Sequence, residues 1–224
     1  MRRNNVSLNV AGIEIENSTD SDVYDNVAEN NTGGILVFDL PNLSVDGARA
    51  RIFDNTIRDN TPPNFAPAGN IVGVVPAGTG ILAMAIDDVE IFGNRIENNQ
   101  SMAVAIVSYD ISGLTTDDVR YDPDPRRIHV HDNLYTNNAY APADLAADVA
   151  GLFAAFDGLP EVVYDGLGEA EGAFPDGDRI CVSEKDSVRM GVVFQPGGGG
   201  PSVDPAFFDC AHASLTAVVL DTPD

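Results

Sequence analysis

Short runs in which apolar residues alternate with polar or aromatic ones recur along residues 1–140, and each run leads into the same asparagine-rich phrase. Ala50 and Ile52 lead into "IFDNTIRDN", Val89 and Ile91 into "IFGNRIENN", and Ile128 and Val130 into "VHDNLYTNN". In "VYDNVAENN" the same places are held by Ser21, the one polar exception, and Val23. Alternation with a period of two predicts half-buried strands. A second strand is predicted upstream of each phrase, as "GIEI" from Gly12, "GILV" from Gly34, "GILAM" from Gly80 and "AVAIV" from Ala103. Short strands divided by Gly, Asn and Asp cannot each bury an apolar side alone, so they must stack.

Aligned on their first asparagine, the four phrases place Asn26, Asn55, Asn94 and Asn133 in one register, with Asn31, Asn60, Asn99 and Asn138 in a second. Equivalent strands paired in parallel, one strand spacing of roughly 4.8 Å per turn, give an all-β fold, a right-handed single-stranded parallel β-helix. The asparagines then form vertical files at tight corners, where amides hydrogen-bond along the stack and tolerate left-handed backbone geometry. An up-and-down sandwich would give short strands too, but no reason for the asparagines to keep one offset. Two outward columns follow from the same register: Tyr24, Phe53, Phe92 and His131, and beside it Asp22, Arg51, Glu90 and His129. Stacking between neighbouring strands is the first expectation for the rings, a sugar-binding surface the second.

The repeat is predicted to span 1–140, leaving 141–224 as a capping helix and a loop-rich tail. "PADLAADVAGLFAAF" puts Leu145, Val149, Leu152, Phe153 and Phe156 on one helical face, suited to cover the lower end of the stack. Short strands are expected at "RICV", "RMGVVF" and "LTAVVL". Cys181 and Cys210 fit either a disulfide in an oxidising compartment or two reduced core thiols, and neither has zinc-site spacing.

Composition narrows the function. Of 224 residues 12 are basic and 35 acidic, and the formal charge of −23 repels nucleic acid and anionic membrane surfaces. The same surplus of carboxylates favours solubility and attracts divalent cations. No apolar run is long enough for membrane insertion, and "MRRNNVSLNV" has the basic start of a signal peptide without its apolar stretch.

The segments "GIEIENSTDSDVYDN", "GILVFDLPN", "NFAPAGNIVGVVPAGTGI" and "VEIFGNRIENN" resemble the right-handed parallel β-helix repeat-containing proteins, exported bacterial proteins of unestablished activity. The resemblance covers roughly residues 8–140. It implies the pectate lyase-like architecture and a periplasmic or extracellular location. The wider fold includes pectate lyases, polygalacturonases and mannuronan epimerases, and fold alone does not transfer those activities. The chain departs from its likenesses in two ways. It enters the first coil almost directly at Gly12, which implies missing N-terminal coils or a partner over an open pairing edge. The epimerase pattern Tyr-Gly-x-Asp-Pro-His-Asp is matched only by Tyr121, Asp122, Pro123, Asp124 and Pro125, without the histidine.

Chemistry is expected at one corner. The inserts 39–47 and 109–125 both leave the coil between the glycine-led and the asparagine-led strand, and the coil between them turns with only "AIDDV". Two walls about 10 Å apart should flank a groove. Asp87, Asp88 and Glu90 on its floor, with Arg120 and Arg127, form the candidate substrate-binding set. Asp117, Asp118, Asp122 and Asp124 are candidate ligands for calcium, the cation that carboxylate oxygens would take. Arg126, Tyr121 and His129 are candidate catalytic residues: arginine to neutralise a uronate carboxylate, tyrosine to take the C5 proton, histidine to return one. Simple solvation of acidic loop residues is the plain alternative. The third insert, 61–79, carries "NIVGVV", too apolar to stand in water, and is expected to fold onto the flank or meet a partner. The functional expectation is polysaccharide binding or processing of the lyase or epimerase kind. Its rival is a non-catalytic envelope scaffold or protein-interaction module, and metal delivery lacks the His, Met and Cys ligands it would need.

Overall fold

A computed structural model of the chain describes residues 1–67, 69–169, 172–185 and 187–219. Its strands form three sheets in which every strand pair is parallel. The first sheet contains Ala11–Glu16, Gly33–Phe38, Thr79–Met84, Met102–Val107, Val162–Tyr164 and Met190–Val192. The second contains Thr19–Tyr24, Ala48–Phe53, Asp87–Phe92, Arg126–His131 and Cys181–Ser183. The third is built from short strands: Asn5–Val6, Val27–Glu29, Thr56–Arg58, Arg95–Glu97 and Leu134–Thr136. From Ala11 to Thr136 the chain visits the three sheets in strict rotation, as a parallel β-helix would.

Side chains explain the rotation. Val23, Ile52, Ile91 and Val130 point inward in the second sheet and meet Ile35, Ile81 and Ile106 from the first and Ile57 and Ile96 from the third. Full burial of one such side chain contributes about 1.5–3 kcal/mol. The first sheet is apolar on both faces, which is why Gly33–Phe38 and Thr79–Met84 are buried at all positions. Its outer face, with Leu36, Phe38, Leu82 and Met84, is covered by Val75 from the apolar insert and by the helix Leu145–Leu152. The expected docking of "NIVGVV" on the flank is thus what its described residues do.

Both files of asparagines are present. In the first, Asn55 Oδ1 accepts from Asn26 N–H and Nδ2 at 3.1 and 2.9 Å, Asn94 from Asn55 at 3.0 and 3.0 Å, and Asn133 from Asn94 at 3.0 and 3.0 Å. The second file, Asn31 to Asn138, repeats the arrangement. The left-handed residue, however, is the one before each asparagine. Asp25, Asp54, Gly93 and Asp132, then Asn30, Asp59, Asn98 and Asn137, all have φ between 51° and 64°. The ladder asparagine is thereby freed to turn its amide into the stack. The files also begin earlier than expected: Asn4 and Asn9 donate to Asn26 and Asn31, so the repeat is already under way before Gly12.

Three expectations are corrected below Asn138. The coil runs past residue 140, because Val162–Tyr164 and Cys181–Ser183 add to the first two sheets. The helix does not close the lower end. Asp144 is pinned by the Ala77 N–H at 3.0 Å, which sets Ala146, Val149 and Phe153 against the outer face of the first sheet and leaves Leu145, Leu152 and Phe156 exposed. Phe208, almost fully buried, and Phe207 pack into the interior instead, and Glu184 takes the place of a further asparagine, accepting Asn133 Nδ2 at 2.8 Å. Of the three predicted tail strands, "RICV" and "RMGVVF" hold strands, whereas residues 215–219 form none and Leu220 lies outside the described residues. Cys181 and Cys210 are joined as a disulfide.

Candidate functional site

The corner between the first and second sheets begins with Asn17 and Asp39. Asp39 Oδ1 accepts from Asn17 Nδ2 and from the Gly47 N–H, both at 2.7 Å, and Asn17 Oδ1 accepts from Leu40 N–H at 2.9 Å. These bonds pin both ends of the 39–47 insert. The larger insert then reaches across: Tyr121 OH donates to the Asp39 carbonyl at 2.7 Å, Asn42 N–H to Asp118 Oδ2 at 3.0 Å, and Arg120 Nη2 to Leu43 O at 3.4 Å. The two walls therefore meet over the short coil. The expected groove becomes a cavity of about 320 Å³, with Asp39, Asp46, Asp87, Asp88, Asp122 and Asp124 among its lining residues.

Its floor is held by charge. Asp20, Arg49, Asp88 and Arg127 occupy equivalent bulge positions with φ of 54–57°, so their side chains stand in one file outside the second sheet. Arg49 pairs with Asp20 at 2.6 Å, and Arg127 pairs with Asp87, Asp88 and Asp178 at 2.6, 2.7 and 2.8 Å. Asp178 comes from the tail, and nothing in the repeat pattern announced it.

The carboxyls here are poised high. Burial pushes Asp39 up to about 6, against the Gly47 N–H, with Asp46, Asp87 and Asp118 adding to the rise. Asp87 is raised by burial although Arg127 opposes it, and Asp124 by burial and then by Asp122. Behind them Asp165, buried and accepting the Ser108 N–H at 2.7 Å, is raised by burial to about 7. Groups whose folded pKa exceeds the unfolded value stabilise the protein below the unfolded pKa, and that contribution is lost as pH rises through the folded value. Stability should accordingly fall between about pH 4 and pH 7. Asp39→Asn, which keeps the acceptor for Gly47, should remove roughly 2 kcal/mol of that fall below pH 6, read by urea denaturation at several pH values. An unchanged pH slope would mean that Asp39 ionises freely.

The predicted site residues divide into groups. Asp87, Asp88, Arg120, Tyr121, Asp122, Asp124 and Arg127 line the cavity together. Arg126 does not: it pairs with Asp122 at 3.1 Å and lies 4.2 Å over the Phe174 ring. His129 and Glu90 line a second cavity of about 200 Å³ with His212, on the far side of the Asp88–Arg127 pair. The proposed trio of Arg126, Tyr121 and His129 is thus dispersed. Tyr121 is also a poor base, because burial and nearby Asp39 drive its phenol far above the usual tyrosine range. Asp117 is exposed, and Asp118 is spent on Arg120 at 3.3 Å and the Asn42 N–H. Among the described residues no three His, Cys, Asp or Glu side chains converge as a cation site.

No protein-family model matches the chain, and no curated protein or solved structure matches it. The likeness to β-helix repeat proteins rests on the quoted segments and on the three parallel sheets. Asp39, Asp46 and Arg49 were missed by sequence reasoning. Asp39 was legible as the first residue of an insert, whereas nothing in the alternation marks Arg49 as a bulge. The ring column proves structural: Tyr24, Phe53, Phe92 and His131 stack at 4.8, 5.0 and 5.3 Å with planes within 8°, so the inner ring faces cover one another and are closed to a sugar.

Proposed function

We propose that the protein is a right-handed parallel β-helix of the exported repeat-containing kind, and that its loop-walled cavity binds a neutral, hydroxyl-rich carbohydrate. Right-handed winding is supported by the strong preference of parallel crossovers, about 98% of which take that hand. The observation that carries the ligand class is the charge state of the cavity. Its arginines are neutralised, Arg49 by Asp20, Arg120 by Asp118 and Arg127 by three aspartates, while Asp39, Asp87 and Asp124 supply carboxyl groups that accept or share protons with hydroxyls. A uronate would meet like charge there, in a chain of formal charge −23. Lyase or epimerase chemistry loses support there, because the cavity's arginines are already paired with aspartates and Tyr121 is held as a phenol. The disulfide favours an oxidising compartment, in keeping with a periplasmic or extracellular location.

Calorimetric titration with neutral oligosaccharides and with uronate oligomers, with and without calcium, tests this reading. Neutral sugars should bind, and Asp87→Asn should weaken them at least tenfold. Absorbance near 235 nm should stay flat with uronates. Preferential binding or cleavage of uronates would overturn the proposal. The rival reading, a protein-interaction module, is favoured by one separate observation: the tail lies along the second sheet and bonds to it through the side chains of Glu90 and Asp22.

A further inference from the structure

The register of the second sheet stacks Asp22, Arg51, Glu90, His129 and Cys181 in one outward column. The tail starts at the foot of that column, where Cys210 is bonded to Cys181, and climbs it. His212 lies 6.3 Å from His129, Leu215 N–H donates to Glu90 Oε2 at 3.0 Å, and Val218 N–H donates to Asp22 Oδ2 at 3.2 Å. His212, Leu215 and Val218 are the half-buried residues of 211–219, and the others are exposed. From His212 to Leu215 the tail advances by one strand of the column, His129 to Glu90, and from Leu215 to Val218 by two, Glu90 to Asp22.

The tail is a poor fit to this track. Residues 211–219 hold no strand, and their recorded hydrogen bonds to the second sheet end on side chains. A cavity of about 200 Å³ remains at His129, His212 and Leu215. Arg51 pairs with Asp22 at 3.5 Å, and its Nε lies 3.9 Å from Glu90 Oε2, yet Arg51 Nε and Asp22 Oδ1 are buried without a hydrogen-bond partner among the described residues. Orphaned polar atoms of this kind cost free energy unless something supplies the missing acceptor and donor. Both lie in the stretch spanned by Leu215 to Val218.

We infer that the outer face of the second sheet is a docking track for an extended peptide of another protein, and that residues 211–219 occupy it as a displaceable internal ligand. The fitting partner is a segment that forms no strand, with backbone N–H groups for Glu90 and Asp22, apolar residues where Leu215 and Val218 lie, and an acceptor opposite Arg51. The acidic column and the charge of the chain favour a neutral or basic segment. The carbohydrate cavity lies on the other side of the Asp88–Arg127 pair, so this inference stands or falls apart from it.

The test uses the full chain and a fluorescent peptide of the sequence AHASLTAVV. The double variant Leu215→Asp, Val218→Asp places charge against Glu90 and Asp22 and should release the tail while the melting temperature stays within a few degrees. It should bind the peptide at least tenfold more tightly than the unaltered chain does, as read by anisotropy. Failure of the correctly folded variant to bind the peptide overturns the inference. Should the variant misfold, hydrogen exchange on the unaltered chain decides: the Leu215 and Val218 amides should exchange at least a hundredfold faster than Ile91, and equal protection would make the tail an integral part of the fold. Dimers of the unaltered chain that dissolve on adding the peptide would assign the track to the tail of a second copy, against the proposal.

Discussion

Asn94→Ala should cost about 4 kcal/mol, roughly a quarter or more of the stability of an ordinary domain. Asn94 is fully buried, and its carboxamide is shared by three coils. Removing it orphans the Asn55 N–H and one of the two Asn55 Nδ2 hydrogens, both accepted at 3.0 Å, and takes from the Ile52 carbonyl the bond Asn94 donates at 2.8 Å, while Asn55 Nδ2 keeps its bond to the Val23 carbonyl. Each buried polar group left without a partner costs about 1–3 kcal/mol. Asn94→Asp should be no milder, because it keeps the upward acceptor and aims a lone pair at the Ile52 carbonyl. Asn137→Gly is the control: Asn137 is exposed, its side chain bonds only Asn98 among the described residues, and glycine takes its φ of 51° without strain, so the change should stay within ~0.5 kcal/mol. Urea denaturation of the three variants separates these outcomes. A loss below ~1 kcal/mol for Asn94→Ala would show that the files are a consequence of the coil and do not hold it.

Replacing Cys181 and Cys210 by alanine should cost roughly 3.5 kcal/mol, as expected for releasing a loop of 29 residues in the unfolded chain. Cys181 is the last strand residue of the second sheet in the outward column, and Cys210 follows the Pro205–Phe208 turn that fills the lower end of the interior. Loss of the bond should loosen that turn and the tail before it affects the upper coils. Denaturation midpoints with and without reductant give the magnitude, and hydrogen exchange gives the order. If the amides of 203–219 stay as protected as those of the central strands after reduction, the bond is not what closes the lower end.

The fold was legible where one interaction repeats. Asn26, Asn55, Asn94 and Asn133 had to keep one offset because each satisfies the backbone of the next coil, so a linear pattern reported a three-dimensional contact. Asn4 and Asn9, with the same five-residue spacing, carried that signal too and could have been added. The helix face was misjudged because residues 145–156 were read as one helix, whereas the helix ends at Leu152 and a 3-10 turn follows at Ala154–Phe156. The site was half legible: seven of the predicted residues share the cavity, because inserts at the same corner of successive coils must neighbour one another. Their roles were not legible. Whether Arg127 is free or bound depends on Asp178, and whether Tyr121 can act as a base depends on the Asp39 carbonyl it donates to.

By itself the sequence determined the stacking of the coils, the asparagine corners and the place where the loops leave, since these arise from short-period patterns that every coil repeats. Only the tertiary structure decided that the walls touch, that the cavity's arginines are already paired, that the helix lies on the flank, and that the tail climbs the second sheet. Those outcomes rest on single contacts between distant segments, such as Asn42 with Asp118 and Leu215 with Glu90. A contact made once leaves no period in the chain from which it could be read.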